Sequence, residues 1–433
     1  MTRMMTPDTP LLTARRFAPL FWVQALGAFN DQVFKTGFLV LLTYRLAAEM
    51  GLNASLHNAI AGALFIIPFA LVAPTSGMLA DGVDKARMMR VIKALEIGLM
   101  IIGAVAFHVQ NLALLYGLLF LMGAQSALFA PIKYGILPQY LGARELARGN
   151  GMIQAATFLA ILLGQIVGAK LVLTANGVAA ISVGVIAVAI IGFIASLFAP
   201  PAPPPGIPPR VDWVLPRAMW SVVRDGRAVP AAFRAILGIA WFWFTGAAFL
   251  ALLPPYALEG LHGTNGVFVL LLSTFSVGVA IGALLCARIF GERPAVPMAA
   301  WGAGGIALAS VALWPASEYW RTGVDFAGPL VGFGDFIGDP RAWPILGCFA
   351  VLAACSGLYV TPLNVVLQVE APAEARGRFI ACSNTVDALA MAGSAVLAAV
   401  LVGAGLRQWD VYALVGATGF AAALWAMRQR GDA

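Results

Sequence analysis

The chain has 433 residues, 61% of them hydrophobic and only 11% charged, with a mean hydropathy of +0.87. A soluble domain is roughly half apolar and a quarter charged, so composition excludes one and indicates an integral membrane protein. The formal charge of +7 points to nucleic acid only if membrane topology does not order the lysines and arginines instead, and Cys286, Cys348, Cys355 and Cys382 lack the paired spacing of a metal or redox site.

The first sixteen residues carry Arg3, Arg15 and Arg16 without an apolar core and cleavage site, so the first helix is expected to insert uncut. Apolar spans follow at 18–45, 56–80, 88–109, 111–132, 151–174 and 177–199. A second set lies at 231–256, 265–289, 294–315, 343–368, 378–403 and 408–427. Each is about the length of a transmembrane helix. The stretch between the sets is rich in proline and arginine, which suits neither a continuing helix nor lipid. The expected architecture is an all-α membrane protein with twelve transmembrane helices: an N-terminal six-helix bundle over 1–200, a linker over 201–230, and a C-terminal six-helix bundle over 231–433.

With both termini inside, the cations gather on the cytoplasmic side, among them Lys85, Arg87, Arg90, Lys93, Lys133, Arg144, Arg148 and those of the linker. Membrane topology then accounts for the basicity, and no nucleic-acid partner is needed.

Helix 1 contains "GAFNDQVFKTG", a charged stretch inside an apolar run. Helical spacing puts Gln24, Gly27, Asp31 and Lys35 along one face, with Asn30 beside them. A charge at mid-membrane costs roughly 2.5–3.5 kcal/mol on insertion scales. Asp31 and Lys35 at i, i+4 can neutralise one another, either as a structural pair or as the lining of a polar path that receives a zwitterionic or anionic headgroup.

After helix 2 comes "GMLADGVDKARMMR", with Gly77, Asp81, Lys85 and Arg87 as gating candidates. It resembles the helix 2–3 loop motif of the major facilitator superfamily. Glycine permits close helix approach, and Asp81 can face the positive N-terminus of another helix, which in that superfamily is helix 11. Gln125 lies in helix 4. Helix 5 offers Gln154, Thr157 and Gln165 near one face, with Gly164 and Gly168 as a small-residue contact. Helix 7 is aromatic, with Trp241, Phe242, Trp243, Phe244 and Phe249; it is read either as a lipid-facing helix or as a slot for an acyl tail, with Phe244 in the lining. Helix 10 carries Asn364 and Gln368, and helix 11 Asn384 and Asp387.

The stretches "ALFAPIKYGILPQYLGARELARGNGMIQAATFLAILLGQIVGAKL", "GLYVTPLNVVLQ" and "GAFNDQVFKTG" are similar to signatures of the bacterial lysophospholipid transporter family of that superfamily, including the transporter portion of proteins fused to acyltransferase and acyl-carrier synthetase domains. The resemblance implies movement of lysophosphatidylethanolamine and lysophosphatidylglycerol from the outer to the inner leaflet of the bacterial inner membrane, by a monomer without metal or cofactor. It also carries roles to Asp31, Lys133, Asn364, Gln368 and Asp387. For Lys133 an orientation anchor at the end of helix 4 is the alternative. Gln154 stands where some relatives have glutamate, and helix 7 lacks a basic residue found in some members.

His57, His108 and His262 have no aspartate five positions on. The histidine-x4-aspartate acyltransferase motif is therefore absent, and reacylation calls for a separate acyltransferase or acyl-carrier synthetase. Two other readings are a proton-coupled exporter of drugs or metabolites and a non-transporting scaffold for an acyltransferase.

Overall fold

The structure, a computed structural model, describes residues 10–51, 54–207, 209–290 and 296–428. Long helices dominate: α1 Ala18–Leu41, α2 Ala54–Gly82, α3 Lys85–Val109, α4 Leu112–Tyr140, α5 Ala143–Leu171 and α6 Gly177–Leu197. After a linker come α7 Pro230–Pro255, α8 Asn265–Phe290, α9 Val296–Arg321, α10 Trp343–Glu370, α11 Arg376–Gly403 and α12 Gln408–Arg428. Among the described residues the sole β-pairing is an isolated bridge between Gly263 and Val331.

Eleven helices are long and apolar enough to cross a membrane by length and composition. Helix α1 is the remaining long one. Its 24 residues suffice for a crossing, but Gln24, Asn30, Asp31, Gln32 and Lys35 interrupt it near its middle and keep it outside the apolar set.

Three boundaries differ from the sequence expectation. Helix α4 continues through Pro131 and Pro138 to Tyr140, because neighbouring helices re-satisfy the carbonyls that proline frees in a membrane bundle. Lys133 therefore lies about two turns inside α4, not at its end. Helix α5 starts at Ala143, eight positions before the expected span, where Glu145 accepts the Gly142 N–H at 3.2 Å and pairs with Arg16 at 2.5 Å. Beside Glu145 the Arg16 guanidinium is held above its ordinary pKa. Within the expected linker, Leu215–Arg227 is helical. The prolines crowd into the stretch before it, while Pro216 in its first turn is compatible with a helix start.

Contacts divide the chain into two compact units. One runs to Gly149 and takes in Ala160–Asp225 and Ala371–Asn384; the other comprises Asn150–Leu159, Gly226–Glu370 and Thr385 onward. The first unit pairs α2 with α4, α3 with α4 and α6, and α1 with α6. Its core holds Phe34, Phe38, Phe107, Met100 and Met122, all essentially inaccessible. The second pairs α9 with α10 and α12, α8 with α10, and α7 with α10 and α12. There Phe249 stacks on Tyr412 at 4.2 Å between ring centroids, and the Trp241 ring meets Tyr359 edge-on at 5.0 Å.

Close approach of helices rests on small residues, as is usual in membranes. A Cβ placed on Gly164 would stand 2.5 Å from the Phe29 carbonyl oxygen of α1, and one on Gly168 2.6 Å from that of Val33. Gly164→Val is expected to cost about 1–3 kcal/mol by overpacking, read as a lower unfolding temperature in detergent; an unchanged transition would show that α5 does not seat on α1 here.

Candidate functional site

Helix α1 presents its polar groups to α3 and α4. Asn30 is fully buried, and its Nδ2 donates to Glu96 Oε1 of α3 at 3.2 Å. One turn earlier on α3, Lys93 Nζ donates to Glu96 Oε2, and Gln125 Nε2 of α4 donates to the same oxygen at 3.1 Å. Lys93 and Glu96 are each 2% exposed. Buried charges survive only when paired and hydrogen-bonded, and three donors meet that need for Glu96. Glycines leave the space: a Cβ on Gly27 of α1 would lie 3.2 Å from Lys93 Nζ, and one on Gly192 of α6 2.9 Å from Lys93 Cε.

This network corrects the reading of Lys93. It belongs to the buried interior of the first unit, not to a row of cations setting orientation. Glu96 and Ser126 are likewise participants that sequence reasoning missed. A signal was present: "VIKALEIGLM" places Lys93 and Glu96 at i, i+3 inside an apolar run, the spacing of a helical ion pair.

Asp31 and Lys35 behave differently. Both are half-buried. Asp31 Oδ2 accepts the Ser126 hydroxyl at 2.7 Å, and Lys35 Nζ lies 4.9 Å from the centre of the Phe65 ring. Each therefore has a partner of its own besides the opposite charge one turn away on α1. Ser126 Oγ is also 3.4 Å from Gln125 Oε1, so Asp31 adjoins the buried Glu96 network. Lys133, also half-buried, sits 4.5 Å over the ring of its neighbour Tyr134.

At the linker-side end of α2, Asp81 is 2% exposed and accepts the N–H groups of Gly377 at 2.6 Å and Arg378 at 3.0 Å, with Arg378 Nε at 3.3 Å. These are first-turn donors of α11, so the carboxylate caps a positive helix end. Gly77 permits the approach: a Cβ there would come within 2.5 Å of Ala381 Cβ and 2.7 Å of the Gly377 oxygen. Lys85 is buried beside Gly135, and its backbone N–H donates to Ala202 O at 2.9 Å. Arg87 keeps its side chain exposed, and only its backbone N–H is engaged, with Asp84. The cation that joins Asp81 is Arg378, which also reaches Asp225 of the linker at 3.2 Å.

In the second unit Gln368 and Asn150 exchange two hydrogen bonds, at 3.0 and 2.8 Å, both side chains being buried. The Gln368 amide is committed to this clasp between α10 and the start of α5. Asn364 turns its Nδ2 back onto the Val360 carbonyl of its own helix at 3.0 Å. Gln154 on α5 and Asp387 on α11 are buried in this unit, whereas Asn384 is half-buried in the first and its Nδ2 lacks a hydrogen-bond partner. Phe244 is half-buried, its carbonyl accepting from Ser394 at 2.6 Å. A narrow cavity of about 10 Å³ is lined by Trp241, Phe242, Thr245, Phe249, Phe275 and Leu352, among others. Phe244 is outside that lining.

Residues 21–340 match the Major Facilitator Superfamily. The lysophospholipid transporter LplT of Serratia proteamaculans is 30% identical over 292 residues, covering 65% of this chain and 67% of that protein. LplT of Yersinia enterocolitica is 28% identical over 378 residues, covering 85% and 82%. Among solved structures, the human organic anion transporter MFSD10 superposes with a TM-score of 0.71 at 15% identity, over 97% of this chain and 99% of that one. FucP in its outward conformation superposes with a TM-score of 0.68 at 14% identity, over 97% and 100%. These likenesses establish the fold.

Removing Lys93 strands a buried carboxylate. Lys93→Ala is expected to cost about 3–5 kcal/mol, and the double variant Lys93→Ala with Glu96→Gln markedly less than the sum of the two single changes. Thermal unfolding of the four proteins in one detergent checks this; additive losses would mean the two side chains are energetically independent.

Proposed function

The chain belongs to the lysophospholipid transporter family of the Major Facilitator Superfamily and is a multi-pass membrane transporter, and from that premise we propose that it carries single-chain phospholipids from the outer to the inner leaflet of a bacterial inner membrane. The observation that carries this reading is the contrast on α1: Asn30 is buried against the saturated Glu96, while Asp31 and Lys35 remain half-open. Side chains four apart on a helix stand about 5–6 Å from one another at Cβ. That separation suits the two charges of a phosphoethanolamine headgroup, its ammonium on Asp31 and its phosphate on Lys35.

Lys133, which meets an aromatic face, supplies a further cation for phosphate. The aromatic cavity of the second unit holds little more than a water as it stands, so it would have to widen to take the single tail, with Phe249 as a fixed wall because it is stacked on Tyr412. No bond is made or broken in this scheme. The transporter acts as a monomer with both termini cytoplasmic, and a separate acyltransferase or acyl-carrier synthetase consumes the delivered lipid.

Alternating access needs a closure that can release, and the Asp81 contact with α11 fits that role. Its hydrogen bonds to N–H groups at a helix end are each worth about 1.5–3 kcal/mol when the acceptor is charged. Gln368, Asn150, Asn364, Asn384 and Asp387 are proposed to serve closure and helix packing around the path more than direct headgroup contact.

Leaflet-resolved uptake of labelled lysophosphatidylethanolamine into proteoliposomes tests the assignment. Wild-type protein should move it, and Asp31→Asn should slow movement about tenfold or more, the loss expected for one charged contact. A protein that moves a soluble drug or metabolite instead would be an exporter, and one that moves nothing a scaffold. Asp81→Asn should shift accessibility toward the linker-side-open form without lowering affinity for the lysolipid. Unchanged accessibility would remove Asp81 from the gate.

A further inference from the structure

The linker does more than join the two halves of the chain. Its extended part is tied down at several points: Ala202 N–H donates to Asp84 at 3.0 Å, Gln139 Nε2 to the Pro203 carbonyl at 3.4 Å, and Tyr140 to the Pro200 carbonyl. Further on, the Asp212 carbonyl accepts from Thr75 Oγ1 at 3.3 Å, and its N–H approaches Met78 Sδ at 3.4 Å. The helix that follows buries Ala218 and Val222 and ties Asp225 to Arg378 at the start of α11.

Its other face is bare. Arg217, Trp220 and Arg224 succeed one another at spacings of three and four, a single stripe along the helix, and Trp213 stands just before its first turn. Trp213 is 70% and Trp220 64% exposed, and both arginines stand in solvent. Among the described residues their ion pairs are loose ones, with Asp212 at 3.9 Å and Asp225 at 3.6 Å. Exposed pairs of that kind hold little energy, so the guanidinium groups are available to another anion.

Depth identifies that anion. Thr75 precedes the end of α2 by seven residues, roughly 10 Å along the axis. Asp212, anchored to Thr75 and Met78, therefore sits level with the body of a membrane-spanning helix and not beyond its tip. Trp213, the next residue, is exposed beside it. Tryptophan favours the headgroup layer, and arginine there meets lipid phosphates.

We propose that the Trp213–Arg217–Trp220–Arg224 face of the linker helix is a docking surface for anionic phospholipid headgroups of the linker-side leaflet. The occupant is a resident diacyl lipid, not the transported substrate, and the surface strengthens the hold of the linker on the α2 end and on the first turn of α11. Charge complementarity selects it: two uncommitted arginines flanked by two interfacial aromatics fit a layer of phosphates.

The test uses Trp220→Cys carrying an environment-sensitive fluorophore, in full-length protein reconstituted into phosphatidylcholine vesicles with or without phosphatidylglycerol. Labelled wild-type protein gives the background from native cysteines. Phosphatidylglycerol should shift the emission to the blue, and salt should reverse the shift. Arg217→Gln and Arg224→Gln should each weaken docking roughly fivefold, the value of one cation near an anionic surface. Emission that is the same in both vesicles would overturn the proposal, as would a shift that survives both substitutions. In the latter case the anionic lipid acts elsewhere than on these two arginines. The readout is independent of transport, so a failure here leaves the lysophospholipid assignment standing, and the converse also holds.

Discussion

A charge placed among lipid chains has to be answered from within the protein, and the Lys93–Glu96 pair is where this chain meets that demand most fully. Glu96 takes donors from three helices: Asn30 of α1, Lys93 of α3 and Gln125 of α4. Each donor fixes the rotation of its helix, because turning any of them would leave an acceptor bare in a low-dielectric interior. Gly27 and Gly192 complete the arrangement by admitting the lysine stem between α1 and α6. With those helices in register, Asp31 and Lys35 reach their own partners without further adjustment.

Two polar contacts between helices, one in each unit, are chemically unlike. Asp81 uses charge against a helix end, backed by Arg378, and so depends on both carboxylate oxygens. Asn150 and Gln368 use a reciprocal amide pair, neutral and geometric, in which each side chain donates and accepts once. Gly151 helps bring the start of α5 close to the Ala283 backbone of α8, so the amides meet in a dry contact.

How much of this was readable from residues alone depends on whether the signal was local. The polar face of α1 follows from helical periodicity, and the docking of Asp81 on α11 from a spaced glycine and aspartate. Lys93 escaped because it trails a run of lysine and arginine at the start of α3, where a cation looks like a marker of sidedness; only the carboxylate three positions on, together with partners from distant helices, reveals its burial. Asn150 was invisible for the same reason, since its partner lies 218 residues away. The ends of α4 and α5 were misjudged because proline and charged residues read as breaks, although inside a bundle other helices absorb both. Asp31 and Lys35 were assigned to one another by spacing, but spacing could not show Ser126 and Phe65, the further partners brought in by α4 and α2.

Helix α1 also bears on how the protein is made. Among the described long helices it alone lacks an uninterrupted apolar stretch sufficient for a crossing, and its buried groups depend on α3 and α4, which are synthesised later. Until Glu96 and Ser126 arrive, Asn30, Asp31 and Lys35 have only each other and water, so α1 cannot settle in lipid as an independent unit. Its final insertion is coupled to assembly of the bundle, and the nascent chain must keep α1 at a hydrated or protein-lined boundary while the next three helices emerge. The polar residues proposed to meet a headgroup would thus also impose an order on biosynthesis.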